Sequence, residues 1–307
     1  MNKTNDTFTL VNDPEYDKHF WNYLLGREGH KQFLDSGKKG TGGYALPTVS
    51  EGKFDKKLKA ESKFRQLATC VYAPYGPSTI HAKMNSDSAT WVKENEEIPI
   101  YDAIDDFSFY SVNDHKLAVL MQLDSSFLHD NRYTFESYLT DRLVRDFSRA
   151  EEYGFLQGTG EDMPVGILAE NGGADIGITA NTLTFDDVIK LFFSVKPEYR
   201  NKGTWLMSDE TALVLRTLKD NDGNYLWKKS DDTILGKKVI ISEFMTDEKP
   251  IAFGDFSYYW IVDRNPLTVQ VLRERFFETD QIGYLAIEKL DGKLIRNEAI
   301  KVLQITE

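Results

Sequence analysis

EEYGFLQGTG at residues 151–160, followed by PVGIL at residues 164–168, is the stretch that decides the fold of this chain. Before it, large apolar side chains recur every four residues, a spacing that places them on one face of an α-helix. These side chains are Phe135, Leu139, Leu143 and Phe147. The pattern predicts a helix over about residues 133–157, roughly 35 Å long. Gly158 and Gly160 would end it in a turn, and a helix of this length can act as a strut.

The chain after this stretch predicts a compact α/β region. Thr184 is a suitable N-cap for a helix whose apolar residues fall at helical spacing, and Ser208 is suitable for a second helix through Leu218. Between the two helices, Trp205–Met207 reads as a strand. The pattern as a whole therefore favours an α+β fold.

The last part of the chain predicts β-structure. Apolar and polar residues alternate over Leu267–Val271, the period of a half-buried strand. Asp291-Gly292 is a strong hairpin signal between two apolar runs, residues 282–290 and 293–305. We therefore expect a turn at residues 291–292.

The chain before the long helix predicts an arm followed by mixed structure. A helix is expected over residues 17–34, and the glycine-rich residues 36–43 would separate it from the rest as an arm outside the compact core. A short strand interrupted by Pro47 is expected over residues 44–49, a helical or mixed segment over 50–67, and a strand over 68–73. Residues 107–123 read as one longer strand.

Residues 78–106 are polar and acidic and have no helical stripe. Strand-like patches flank them, so we expect an exposed β-hairpin with too little apolar surface to bury itself. Such a hairpin needs a partner. The candidate contacts are Trp91 as an apolar anchor, with Lys93, Glu94 and Glu96 in charge pairs with a neighbour. The alternative is that each of these residues lies in a flexible, solvated loop.

Composition limits the possible functions. The 307 residues carry a net charge of −12, which disfavours a nucleic-acid binder but not a container for DNA. No apolar run approaches the ~20 residues of a membrane helix, so we expect a soluble protein that stays in the cytoplasm where it is made. The single cysteine, Cys70, is expected to be a buried small hydrophobe.

Catalytic motifs are missing from the sequence. The five histidines do not stand at helical metal-ligand spacing, and the Asp220–Asn224 stretch has the wrong register for a calcium loop. We therefore predict no catalytic, cofactor or metal site and no enzyme activity. The remaining enzymatic alternative, a glycosidase-like protein, would need two carboxylates converging within ~10 Å in a pocket.

Four motifs, in order along the chain, carry a family resemblance. They are residues 42–47; residues 151–160 with 164–168; residues 218–226 with 235–239; and residues 252–256 leading to 262–264. In these motifs the chain resembles the major capsid proteins of tailed bacteriophages, which have the Hong Kong 97-type fold that encapsulins also use. The resemblance runs from about Gly42 to Ile305.

The resemblance implies a set of named parts. They are an N-arm at residues 1–45, a peripheral domain at 46–77, 107–170 and 263–307 whose spine helix is about 133–157, an E-loop at 78–106 and an axial domain at 171–262. It also implies the function: pentamers and hexamers that form the icosahedral head enclosing double-stranded DNA. An encapsulin-like compartment shell is the alternative.

The resemblance also implies partners and location. We expect self-assembly, a separate scaffolding protein, a portal protein, DNA enclosed without sequence-specific contacts, no membrane, and a virion built in the host cytoplasm. Only about forty residues precede Gly42, so a built-in scaffolding segment is not expected unless it has been removed. Residues 276–290 contain no Asn, so a covalent cross-link from Lys83 or Lys93 of the E-loop is not expected.

Overall fold

The computed structural model describes residues 11–35, 43–73, 79–83, 91–94, 96–97, 107–126, 132–220, 222–227 and 232–306. Its helices are α1 Pro14–Leu24, α2 Lys31–Asp35, α3 Thr48–Glu61, α4 Lys63–Leu67, α5 Arg132–Gln157, α6 Phe185–Ser194, α7 Pro197–Arg200 and α8 Asp209–Thr217. Its strands are β1 Tyr44–Ala45, β2 Thr69–Tyr72, β3 Thr79–Lys83, β4 Phe107–Ser111, β5 His115–Asp124, β6 Asp175–Ala180, β7 Thr204–Met207, β8 Thr233–Ile234, β9 Lys237–Ile241, β10 Ile251–Gly254, β11 Tyr259–Leu272, β12 Gln281–Leu294 and β13 Ile300–Ile305.

Two sheets organise the described chain. One is five-stranded, with the order β1-β11-β12-β5 and β2 parallel to β11. The other is six-stranded, with the order β6-β13-β10-β7-β9-β8. Strands β3 and β4 form a separate antiparallel pair. The predicted domain boundary between residues 262 and 263 does not separate the two sheets. Strand β11 runs across this boundary, and β13, from the segment 263–307, lies in the six-stranded sheet between β6 and β10.

The long helix α5 connects the cores of both sheets. Its 26 residues, Arg132–Gln157, agree with the predicted helix and span roughly 39 Å. The four predicted apolar residues are at most 2% exposed and pack with Val269 and Tyr284 of the five-stranded sheet. At the other end of α5, Phe155 and Leu156 pack in a second core that receives side chains from both sheets. The helix is thus a strut between two cores.

The PVGIL segment turns back along the end of α5. The backbone amides of Gly166, Ile167 and Leu168 donate to the carbonyl oxygens of Gly158, Phe155 and Leu156 at 2.8 to 2.9 Å. These bonds satisfy the carbonyl groups that a helix end leaves without intrahelical partners. The turn predicted at residues 158–160 is confirmed, with Gly160 in the left-handed region at φ 88°.

The predicted hairpin turn at Asp291-Gly292 is wrong. Both residues lie inside β12, which pairs with β11 through Leu294. Tertiary contacts explain these turn-type residues: the carboxylate of Asp291 accepts the backbone amide of Asn113 at 2.6 Å. A side chain on Gly292 would meet the ring of Tyr259, with the hydroxyl oxygen at 2.4 Å. The hairpin lies instead between β11 and β12, where Asp280 has a positive φ.

The prediction of an N-terminal arm outside the core is wrong for residues 11–35. Helix α1 buries Phe20, Trp21 and Leu24 in the core of the five-stranded sheet, each at most 1% exposed. The predicted helix over residues 17–34 divides into α1 and α2, because Gly26 and Gly29 have left-handed φ values of 84°. It is also wrong for Tyr44 and Ala45, which pair with β11, whereas residues 1–10 and 36–42 of the predicted arm lie outside the described chain.

Other local predictions are confirmed or corrected. The side chain of Thr184 accepts the amide of Asp187 and caps α6, and Ser208 caps α8 in the same way, as predicted. The segment 50–67 is two helices, because Ser62 leaves the helical conformation and caps α4. Residues 107–123 form two strands rather than one. Cys70 is exposed and not buried.

Candidate assembly surfaces

The β3–β4 pair forms the base of the predicted hairpin. Its register runs from Thr79 opposite Ser111 to Lys83 opposite Phe107. The hydroxyl of Tyr110 donates to the carbonyl oxygen of Ile295 at 2.6 Å, and this bond ties the pair to the chain just after β12. Residues 78, 84–90, 95 and 98–106 of the hairpin lie outside the described chain, so its full path stays a prediction.

The four predicted contact residues lie close together in the chain beyond this base. Trp91 has 105% relative exposure, so its indole makes no burying contact within the described subunit. Lys93, Glu94 and Glu96 are exposed as well, and the backbone amide of Lys93 makes a long hydrogen bond of 3.5 Å to the Glu96 carboxylate. An indole this exposed is suited to burial against another molecule.

Helix α8 and the loop after it carry a second exposed apolar surface, which the sequence reasoning missed. Leu213 is 64% and Val214 45% exposed, whereas Leu215 is fully buried. Tyr225 and Leu226 of the loop are 40% and 42% exposed. The signal was present in the sequence, because Leu213 and Val214 fall outside the apolar stripe that faces the core.

The loop after α8 is held in one shape by Asp220. The carboxylate of Asp220 accepts the backbone amides of Asn224 at 2.8 Å and of Asp222 at 3.0 Å. These bonds, led by the one from Asn224, lower the pKa of Asp220. Gly223 supplies the positive φ that the turn requires. The loop is therefore an ordered support for Tyr225 and Leu226, in line with the predicted polar turn.

The tip of the β11–β12 hairpin carries a third exposed apolar group. Phe277 is 82% exposed. Its neighbour Phe276 instead packs toward the strands, since a side chain placed on Gly283 would lie 2.6 Å from the Phe276 ring. The three surfaces are thus at separate places in the chain, which suits a subunit with several neighbours.

Ionisable residues converge inside the subunit around Arg65. Its Nε and Nη2 donate to the Glu151 carboxylate at 2.6 and 2.5 Å, and its Nη1 and Nη2 donate to Asp263 at 3.1 and 2.9 Å. Such hydrogen-bonded ion pairs hold buried charges in place. The Arg65 cluster, which joins α3, α4, α5, β11 and β12, consists of Arg65 and the surrounding carboxyl groups of Glu51, Asp55, Glu151, Asp263 and Glu288.

This cluster does not form a glycosidase site. The cavity beside it has a volume of about 30 Å³, which is room for one or two water molecules and not for a sugar ring. Glu151 and Asp263, the two carboxylates nearest the guanidinium, are both engaged in charge-assisted hydrogen bonds with Arg65. The geometry is therefore that of a structural ion-pair network.

Two histidines meet although they stand eleven residues apart in the chain. The Nδ1 atoms of His19 and His30 lie 2.9 Å apart, and the His19 ring stacks on Phe33. Within the described ranges, no group of three or more His, Cys, Asp or Glu side chains is arranged to hold a metal ion. Among the described helices, none has the length and apolar character needed to cross a membrane.

Comparison with known proteins links the chain to viral shells. A model of the phage capsid family matches residues 42–305. The solved capsid of a native GTA particle is 25% identical with a TM-score of 0.63, and the match covers 80% of this chain and 91% of that one. A solved chain from Gordonia phage Cozz is 12% identical with a TM-score of 0.59, and the match covers 80% of this chain and 87% of that one. No curated protein matches the chain in sequence.

Proposed function

Since this chain belongs to the phage capsid family, we propose that it assembles into the pentamers and hexamers of an icosahedral phage head that encloses double-stranded DNA. The family and the α+β fold of phage capsids are both confirmed, and the chain is a structural shell component. The observation that carries the proposal is the family match over residues 42–305, together with the 25% identity to a capsid solved with C5 symmetry.

The two sheets support the proposed division of the subunit. The five-stranded sheet with α5 corresponds to the peripheral domain, and the six-stranded sheet, now including β13, to the axial domain. Exposed Leu213 and Val214 on α8 then become candidates for contacts around the five-fold and six-fold axes. Residues 78–106 remain the proposed E-loop, which reaches over a neighbouring subunit from its β3–β4 base.

Assembly of this kind depends on many weak contacts. Each subunit contacts its neighbours through heterologous interfaces, in which two different surface patches meet. Such interfaces form closed rings, and from them a shell, only when the rotation from one subunit to the next adds up to a full turn. An interface of ~1,600 Å² can be weak by itself, because association costs several kcal/mol of lost freedom. The separate exposed groups Trp91, Leu213 and Phe277 fit this arrangement. Weak single contacts let misplaced subunits leave, and their sum stabilises the finished shell.

The remaining partners follow from the same proposal. With a net charge of −12, the subunit encloses DNA without sequence-specific contacts. A separate scaffolding protein and a portal protein act with it, and assembly takes place in the cytoplasm of the bacterial host. An encapsulin-like shell would hold a cargo protein in place of DNA, so the contents of purified particles distinguish the two functions.

Electron microscopy of the purified chain tests the proposal. We expect rings or closed particles from the complete chain. Deletion of residues 85–98 with a short Gly-Ser replacement should leave a folded subunit that builds no shells, because Trp91 and its charged neighbours are lost. A second variant, Lys93→Gln with Glu94→Gln, keeps Trp91 and measures how much of the assembly depends on the charge pairs alone. Closed particles from the deletion variant would contradict the E-loop assignment, and a persistent monomer from the complete chain would contradict the shell function.

A further inference from the structure

Glu288 is a buried member of the Arg65 cluster that forms no ion pair with a basic side chain of the described residues. Arg65 is already paired with Glu151 and Asp263, so most of its donors are occupied. The Glu288 side chain is buried, and its Oε1 atom has no hydrogen-bond partner within the described chain. An unpaired buried carboxylate is costly, and such groups usually avoid the cost by holding a proton.

The groups around Glu288 add negative charge. Helix α3 contributes Glu51 and Asp55, and β11 contributes Asp263, all of which line the same small cavity. Tyr72 of β2 and Lys289 of β12 also line it. Lys289 does not neutralise the cavity fully, because its Nζ lies 3.8 Å from the carboxylate of Asp114. Five carboxyl groups thus surround one guanidinium, and they cannot all be ionised at low cost.

The pKa values follow this excess of negative charge. Burial, and next the negative charge of Glu151, raise the pKa of Glu288 well above its usual range. Burial, followed by the charges of Asp55 and Asp263, raises the pKa of Glu51 to about 7. Burial, followed by the charge of Asp263, raises the pKa of Asp55 to about 6, and water on its exposed side screens part of that charge repulsion. Glu288, Glu51 and Asp55 are therefore the groups whose protonation matters near neutral pH.

We propose that Glu288 is protonated in the folded subunit and donates its proton in a hydrogen bond to Glu151, and that loss of this proton loosens the packing of α3 and α4 on α5 and the five-stranded sheet. In the protonated state the Glu288 hydroxyl donates to the Glu151 carboxylate, whose oxygens each have a lone pair left beside Arg65. When the proton leaves, two buried carboxylates face each other across one guanidinium. This property belongs to the single subunit and is additional to its role as a shell protein.

The direction of the pH effect follows from proton linkage. A carboxyl group with a raised pKa holds its proton in the folded state at pH values where the unfolded chain has already lost it. Its stabilising contribution is therefore complete below the ordinary value of 4.5 and falls as the pH rises toward the folded value. One such proton changes the equilibrium between docked and loosened helices by at most about tenfold per pH unit. The packing of α3 and α4 on α5 and the five-stranded sheet is therefore more stable in acid than at neutral or alkaline pH.

Hydrogen exchange of the complete chain from pH 5 to pH 9 tests the proposal. After correction for the intrinsic exchange rate, protection of residues 48–67 should fall with rising pH. Glu288→Gln keeps the size of the side chain and an N–H that can donate to Glu151, but it cannot ionise. This variant should keep the part of the pH dependence that Glu51 and Asp55 supply up to about pH 7 and lose the part above it.

The control is Glu278→Gln, which changes an exposed carboxyl group on the β11–β12 connection and should behave as the wild type. An unchanged pH dependence above pH 7 in Glu288→Gln would overturn the proposal. If this variant does not fold, infrared spectroscopy of the wild-type chain decides the question. A carbonyl stretch from a protonated carboxylic acid should persist above about pH 7, where Glu51 has lost its proton, and its absence there would contradict a proton held by Glu288.

Discussion

Gly166→Ala tests whether the PVGIL segment must lie directly against the end of α5. A methyl group on Gly166 would lie 2.4 Å from the carbonyl oxygen of Leu156 and 2.7 Å from the amide nitrogen of Gly158. Both are backbone atoms, so no side chain can rotate away. Since ordinary contact begins at 3.4 Å, the two segments must separate by about 1 Å.

The size of this separation sets the expected change in the free energy of unfolding. The three backbone hydrogen bonds from Gly166, Ile167 and Leu168 are 2.8 to 2.9 Å long, and about 1 Å more would take them out of bonding range. At about 1 kcal/mol for each bond, the free energy of unfolding should fall by about 3 kcal/mol. The fully buried side chain of Ile167 would also move, so this value is a lower bound.

Urea unfolding of dissociated subunits measures this change through the transition midpoint at constant slope. Two other glycines are controls. Gly154 lies in α5 with only a Pro164 side-chain carbon at 3.6 Å, and Gly52 lies in α3 with nothing within 4 Å. Changing either to Ala should be neutral or stabilise by up to about 1 kcal/mol, because Ala favours the helix. A Gly166→Ala loss of less than about 1 kcal/mol, or an equally large loss in Gly154→Ala, would refute the need for this close approach.

Two further predictions concern the core and the surface. Phe147→Ala in α5 removes a ring that is fully buried. It should lower the free energy of unfolding by about 3–5 kcal/mol in the same urea assay. A loss below about 1 kcal/mol would contradict the place of Phe147 in the core. Trp91→Ala should leave the unfolding midpoint unchanged, because the indole is exposed in the subunit. It should raise the subunit concentration needed for assembly, measured by light scattering. Assembly at the wild-type concentration would show that Trp91 is not an assembly contact.

Local features of the fold were predictable from the sequence because their causes are local. The four-residue spacing of apolar side chains in α5 and the caps Thr184 and Ser208 depend on residues within one or two helical turns. Local patterns misled at Asp291-Gly292, where distant partners decide the conformation. The backbone amide of Asn113 donates a hydrogen bond to the Asp291 carboxylate, and the Tyr259 ring occupies the space beside Gly292. Two residues typical of turns therefore lie in a strand.

The Arg65 cluster could not be predicted because its members are far apart in the chain. Arg65 and Glu151 are separated by 86 residues, and Arg65 and Asp263 by 198. Each looks like an ordinary surface charge in the sequence, since only the packing of α4 and α5 on β11 brings them together. The assembly contacts have a similar limit, because a single chain shows that Trp91 is exposed but not what covers it.

The stretch at residues 151–160 links the two sheets through hydrogen bonds, and its first two residues make side-chain bonds toward different sheets. Glu151 points toward the five-stranded sheet and holds Arg65, which also holds Asp263 of β11. Glu152 accepts a hydrogen bond of 2.6 Å from the hydroxyl of Ser242, directly after β9 of the six-stranded sheet. Successive residues of one helix are therefore linked to the two different sheets, Glu151 through Arg65 and Glu152 through Ser242. The PVGIL segment then bonds to the end of the same helix, so residues 151–168 contribute hydrogen bonds that join elements of both sheets.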